Sequence, residues 1–142
     1  MSKLHKILSM RERSEQHCID QLAKSRRATQ EAQAQANTLD ALKSGYIEDT
    51  PKQARSADYQ LRYRFYAQLD EIGRNQLATI SRLQREESVH SEAHIQAYRA
   101  RRAIEKVIAT RERSVALQTK QKLRKSLSGL RRAHSERWSK LL

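Results

Sequence analysis

His90 and His94 stand four residues apart in the stretch HSEAH, a spacing that puts two imidazoles on one face of a helix. Paired imidazoles at that spacing supply half of a zinc site in the HExxH metalloproteases, where a glutamate follows the first histidine directly. Here the glutamate is displaced by one position, and no further Cys, Asp or His falls at a ligand spacing. The pair is expected on a solvated, polar helix face with no metal. Cys18 is the single cysteine. It permits no internal disulfide and reads as a small seam residue, since reactive thiols need a polarised pocket. No glycine-rich phosphate loop and no GxSxG elbow occurs. No enzymatic activity and no cofactor are expected.

Two other groups of residues could do the work of binding. Between 101 and 142 there are thirteen basic and three acidic side chains, whereas 47–100 balance to zero. A polycationic segment of this kind suits an acidic partner: nucleic acid, anionic lipid or an acidic protein surface. It also carries an apolar stripe, Ile104, Ile108 and Val115, then Leu123, Leu127, Leu130 and Leu141. The second group is aromatic: Tyr59, Tyr63, Phe65 and Tyr66 lie within eight positions in a chain that has seven aromatic residues. Leu61, Phe65, Leu69, Ile72 and Gln76 follow the 4-4-3-4 spacing of one helical stripe. An aromatic cluster larger than a two-helix tip can enclose leaves part of itself exposed, as a contact surface does.

The elements that must position these groups follow from composition. At 142 residues there is room for one domain. With 37% hydrophobic residues, 32% charged, 3 Gly and 1 Pro, the chain favours long helices and a narrow seam over a thick core. A heptad register runs through Met1, Leu4, Leu8, Arg11, Glu15, Cys18, Leu22, Ser25, Thr29, Ala32, Ala36, Leu39, Lys43 and Tyr46. Helix one is expected over about 2–44, ended by Gly45. The turn is expected over 45–50, and helix two over about 51–138, opened by Thr50 as cap, Pro51 and Gln53. The fold class is all-α: two unequal helices in an antiparallel coiled-coil hairpin. A tight turn pairs residue i with about residue 95 − i. Leu39 then faces 53–59, Leu22 approaches Gly73, and Lys3, Lys6 and Arg11 meet Glu86, Glu87 and Glu92. On that pairing the basic segment overhangs from about 99 to 142.

This layout resembles the FliJ/YscO family, the central stalk proteins of flagellar and virulence type III secretion. The resemblance spans most of the chain and is carried by the L-x-x-I-L-x-x-R-E opening, by YRFYAQLDEIGRNQ with its F-x-x-x-L-x-x-I stripe, and by AYRARRAIEKVIATRER. It implies the two-helix coiled coil of a rotary-ATPase central stalk, held in the pore of the hexameric secretion ATPase and linked to the export-gate membrane protein. Export chaperones are a further class of partner in the family. Carried over by residue, the gate contact falls on Phe65, Leu69, Ile72 and Gln76, where members often have smaller or more polar residues at the last two positions. The ATPase-ring contact falls on the basic overhang: Arg111, Arg113, Lys122, Leu123, Arg124, Leu127, Leu130 and Arg131. A monomer in isolation is expected, cytoplasmic and at the inner-membrane face when assembled. The N-terminal MSKLHKILSMRER has no secretory apolar stretch, and no run approaches the roughly eighteen apolar residues of a span. The rival reading is a basic coiled coil that binds nucleic acid without sequence preference. It is disfavoured by the regular apolar spacing and the lack of interleaved aromatics.

Overall fold

The computed structural model describes residues 2–48 and 55–141. Two helices account for almost all of them: α1, Lys3–Glu48, and α2, Ser56–Leu141, with no strand among the described residues. They pack against each other as an all-α helical hairpin. Ser2 caps α1: its Oγ accepts from the His5 backbone N–H at 3.4 Å, as an N-cap hydroxyl does, and lies 2.7 Å from His5 Nδ1. Asp58 in the first turn of α2 and Lys140 in its last each complement the helix dipole. The proposed caps of helix two, Thr50, Pro51 and Gln53, lie outside the described residues.

Gly45 does not end α1, which continues to Glu48, and no described glycine adopts positive φ. A glycine ends a helix only when the chain turns left-handed there. With Tyr46 held in the seam, the helical conformation is retained instead.

Two compact units divide the chain, Arg13–Tyr98 and Met1–Glu12 with Arg99–Leu142. In the first, the α1 register from Glu15 to Tyr46 is buried or half-buried at every position. Its counterpart on α2 runs Arg62, Tyr66, Leu69, Gly73, Gln76, Ile80, Leu83, Glu87, His90, His94 and Ala97, alternating four and three residues throughout. The core proper is small: Leu22, Ala32, Leu69 and Ile80. Cys18 sits half-buried in this seam, as its register position predicts. His90 and His94 do so too, which corrects the expectation of a solvated face.

The pairing differs from the expected one. Tyr46 meets Phe65, Lys43 meets Asp70, Leu39 faces Gly73 and Arg26 reaches Glu87, so residue i lies opposite about residue 112 − i. The tight-turn assumption placed the reversal some eight residues too early, because α1 runs on to Glu48 and α2 starts only at Ser56. The three carboxylates expected to meet Lys3, Lys6 and Arg11 have partners nearby instead. Glu87 pairs with Arg26, Glu86 with Arg82, and Glu92 accepts from Gln96.

In the second unit Leu4, Leu8, Arg101, Ile104 and Ile108 are half-buried, and every described residue from Thr110 onward is exposed. The overhang starts near 110 rather than 99.

Gly73 offers a direct test of the seam. A Cβ there meets Leu39 Cδ2 at 3.6 Å, an ordinary van der Waals contact, while alanine improves helix propensity by about 1 kcal/mol. Gly73→Ala should therefore raise the denaturation midpoint, whereas Leu69→Ala should cost about 2–5 kcal/mol. A Gly73→Ala variant less stable than the parent in urea unfolding would mean that Leu39 cannot give way and the seam is tighter than described.

Candidate functional site

The aromatic tip belongs to the unit Arg13–Tyr98. Seam residues alternate with flanking ones along α2, and this alternation divides the expected gate stripe. Leu69 is buried at 7% exposure. Gln76 turns inward, donating from Nε2 to the Ala32 carbonyl at 2.9 Å and to Gln35 Oε1 at 3.3 Å. Phe65 and Ile72, each one residue before a seam position, remain 45% and 52% exposed. The four residues therefore do not share an outward face: Leu69 and Gln76 hold the hairpin together, and Phe65 and Ile72 are left exposed.

The exposed pair gains a companion that the sequence reading missed. Leu42 is exposed and immediately precedes the seam residue Lys43. In an antiparallel pairing the flank before one helix's seam position faces the corresponding flank of the other helix. Leu42, opposite about residue 70, thus stands between Phe65 and Ile72 on one apolar flank. Its signal was available only once the pairing was known. Phe65 also packs on Tyr46, with centroids 4.7 Å apart and planes tilted by 54°. The Arg62 guanidinium lies 5.3 Å from the centroid of the same Tyr46 ring. Tyr59, Leu61 and Tyr63, in the first two turns of α2, are exposed as well.

The opposite flank is charged. Lys43 Nζ donates to Asp70 Oδ1 at 2.9 Å, Arg74 donates to Asp70 Oδ2 at 2.9 Å, and Lys43 also sits 5.3 Å over the Tyr66 ring. The hydrogen bond from Lys43, then that from Arg74, holds the Asp70 carboxyl below its ordinary range. The bond to Asp70 raises Lys43 against a smaller opposing effect of desolvation. The hairpin is thus apolar on one side of the tip and salt-bridged on the other.

The overhang belongs to the other unit, and its geometry separates what the sequence reading joined. Ile104 and Ile108 are seam residues. Continuing their 3–4 alternation leads to Arg111, Val115, Gln118, Lys122 and Lys125, not to the leucines. Leu123, Leu127 and Leu130 follow the same alternation on a different face, a quarter turn or more round the helix at about 100° per residue. There are two stripes. A longer α1 packed along the first would still leave the second bare.

Among the expected ring-contact residues, Leu123, Leu127 and Leu130 form that second stripe, with Arg113, Arg124 and Arg131 along one edge of it. Arg111 and Lys122 fall on the far side. Arg111 instead borders a cleft of about 390 Å³ where α1 begins, lined also by Leu4, His5, Ile108, Glu112 and Val115. All eight expected ring-contact residues are exposed. Upstream, Arg102 and Arg101 both bond Glu105, at 2.6 and 2.5 Å, and hold its carboxyl below the ordinary range. Among the described residues no group of three His, Cys, Asp or Glu side chains is placed to hold a metal ion.

The Lys43–Asp70–Arg74 cluster gives the tip a pH signature with a definite sign. Asp70 has a depressed value when folded, so its contribution is present above the ordinary carboxylate range and lost as pH falls through the folded value. Lys43 is raised, so its contribution is full below the ordinary lysine range and lost as pH rises through the folded value. Asp70→Asn should therefore reduce the acid-limb fall in melting temperature below about pH 4 and leave the neutral plateau flat. Superimposable acid limbs for the parent and Asp70→Asn would refute the cluster's role.

No family model, no curated protein and no solved structure matches the chain.

Proposed function

We propose that the chain is a non-enzymatic central stalk or adaptor of a type III secretion export apparatus, linking the hexameric secretion ATPase to the export-gate membrane protein and promoting ATP hydrolysis and export. The observation that carries this reading is the bare last third of α2. From Thr110 to Leu141 one helix projects Leu123, at 60% exposure, Leu127 at 50% and Leu130 at 67% from a strongly basic segment. A lone helix with a regular leucine stripe is wasteful unless a protein covers it. Resemblance of the chain to the stalk family supplies the identity of that protein. The second contact is the tip flank of Phe65 and Ile72, to which Leu42 adds, with Leu69 and Gln76 supporting it from inside the seam. No described helix is long and apolar enough to cross a membrane, so in this reading the chain reaches the inner-membrane face only through its partners, export chaperones among them.

Nucleic-acid binding is the competing outcome and makes different demands. A helix on phosphates uses its cations and leaves its leucines in water, whereas a ring partner needs both.

Purified chain should stimulate ATP hydrolysis by the cognate hexameric ATPase. Leu123→Ala, Leu127→Ala and Leu130→Ala combined should lower that stimulation by about tenfold or more without moving the melting temperature. Phe65→Ala with Ile72→Ala should instead remove export-gate binding while sparing ATPase stimulation, and Leu69→Ala should act through stability. Full stimulation by the triple-leucine variant, together with DNA binding that collapses with salt, would replace the stalk reading with the nucleic-acid one.

A further inference from the structure

We infer that the second stripe of the overhang is a coiled-coil half-site for an acidic α-helix of a partner protein, gripped along one arginine edge. This rests on reading the overhang as a protein-binding element and names the chemistry of what it binds.

The residues round the stripe are not arranged evenly. Leu123, Leu127, Leu130 and His134 alternate four and three residues, the repeat that a second helix needs to interdigitate; Arg137 takes the next position of the series and Leu141 the one after it. Along one edge, at intervals of seven, stand Arg124, Arg131 and Trp138. The other edge repeats Thr119, Ser126 and Ala133, short side chains that allow close backbone approach, before Lys140 closes the series. His134 and Trp138 extend the apolar face: the indole N–H donates to His134 Nε2 at 2.7 Å, with the rings edge-on at 5.8 Å. Among the described residues Arg113, Arg124 and Arg131 have no ion-pair partner within the chain, while arginines nearer the hairpin do.

That asymmetry selects among the possible occupants. A second copy would bring one cationic overhang onto another, and the antiparallel arrangement would set arginine edge against arginine edge. A membrane surface would be met by cations on both edges of the apolar face. Here, over 119–133, one edge is small and uncharged and a cation joins it only at Lys140, while Arg111, Lys122, Lys125 and Arg132 lie on the back of the helix. Nucleic acid would leave the leucines uncovered. A helix with leucine-like residues at 3–4 spacing and carboxylates seven apart along one edge satisfies the stripe, the small edge and the arginines together.

Trp138 is the sole tryptophan and adjoins the stripe, so its emission reports occupancy in the full chain. The probe is a synthetic helical peptide with leucines at 3–4 spacing and glutamates along one flank; its control has lysines in their place. The glutamate peptide should shift Trp138 to the blue and saturate in the micromolar range at about 0.15 M salt, and the lysine peptide should not. Arg124→Glu with Arg131→Glu should weaken the glutamate peptide about tenfold or more and confer binding of the lysine peptide. Lys125→Glu with Arg132→Glu, on the back face, should change affinity by less than about twofold. Equal losses from front and back pairs would reduce the site to diffuse charge and overturn the inference. So would an equal, Leu123- and Leu127-dependent shift with phosphatidylglycerol vesicles or duplex DNA. The two readings fail separately. Peptide recognition without ATPase stimulation removes the secretion role and leaves the half-site standing. Stimulation that survives Arg124→Glu with Arg131→Glu but needs Arg111 and Lys122 removes the half-site alone.

Discussion

A seam one residue deep holds this protein together. Each helix contributes a side chain every three or four residues, and among the described residues only Leu22, Ala32, Leu69 and Ile80 are buried. Burying one such large side chain is worth about 1.5–3 kcal/mol, so the apolar interior is modest for two helices of this length. Specificity comes from polar features set into the seam at fixed places. Gln76 bonds the Ala32 carbonyl, Lys43 meets Asp70, and Arg26 reaches Glu87. Because these fix which residues are enclosed, they also fix which are left over. Phe65, Ile72 and Leu42 are exposed at the tip because Leu69 and Tyr66 occupy the neighbouring seam positions.

The same logic explains what could be read from the sequence. The α1 register was legible because it depends on local spacing: of its described positions, Arg11 alone is exposed. The helical fold class and the existence of two helices followed from composition for the same reason. The axial pairing was not legible. It depends on how the chain reverses and on contacts between residues far apart in sequence, such as Tyr46 with Phe65, for which neither helix carries a local mark. An error of about seventeen in the pairing sum moved every expected cross-helix contact, and with it the start of the overhang.

The site residues divide along that line. Leu123, Leu127 and Leu130 could be singled out from spacing, since exposure there requires only that α1 has ended. Leu69 and Gln76 could not be separated from Phe65 and Ile72, since all four share one stripe on a helical wheel. Which side of that stripe faces inward is set by the partner helix. Leu42 carried no signal of its own. The two apolar stripes of α2 were merged because both alternate by three and four, and the break between them is visible only once Ile104 and Ile108 are seen to belong to the seam.

The bond from Gln76 to the Ala32 carbonyl has a mechanical meaning. It runs across the seam, and so do the contacts of Lys43 with Asp70 and of Arg26 with Glu87. A force that slides one helix past the other loads these links in parallel, so they resist as a group. A force that peels the helices apart from one end meets them singly. The hairpin is stiff to shear and soft to peeling, and a partner pulling along α2 would transmit its pull where a partner prying at the tip would open the pair.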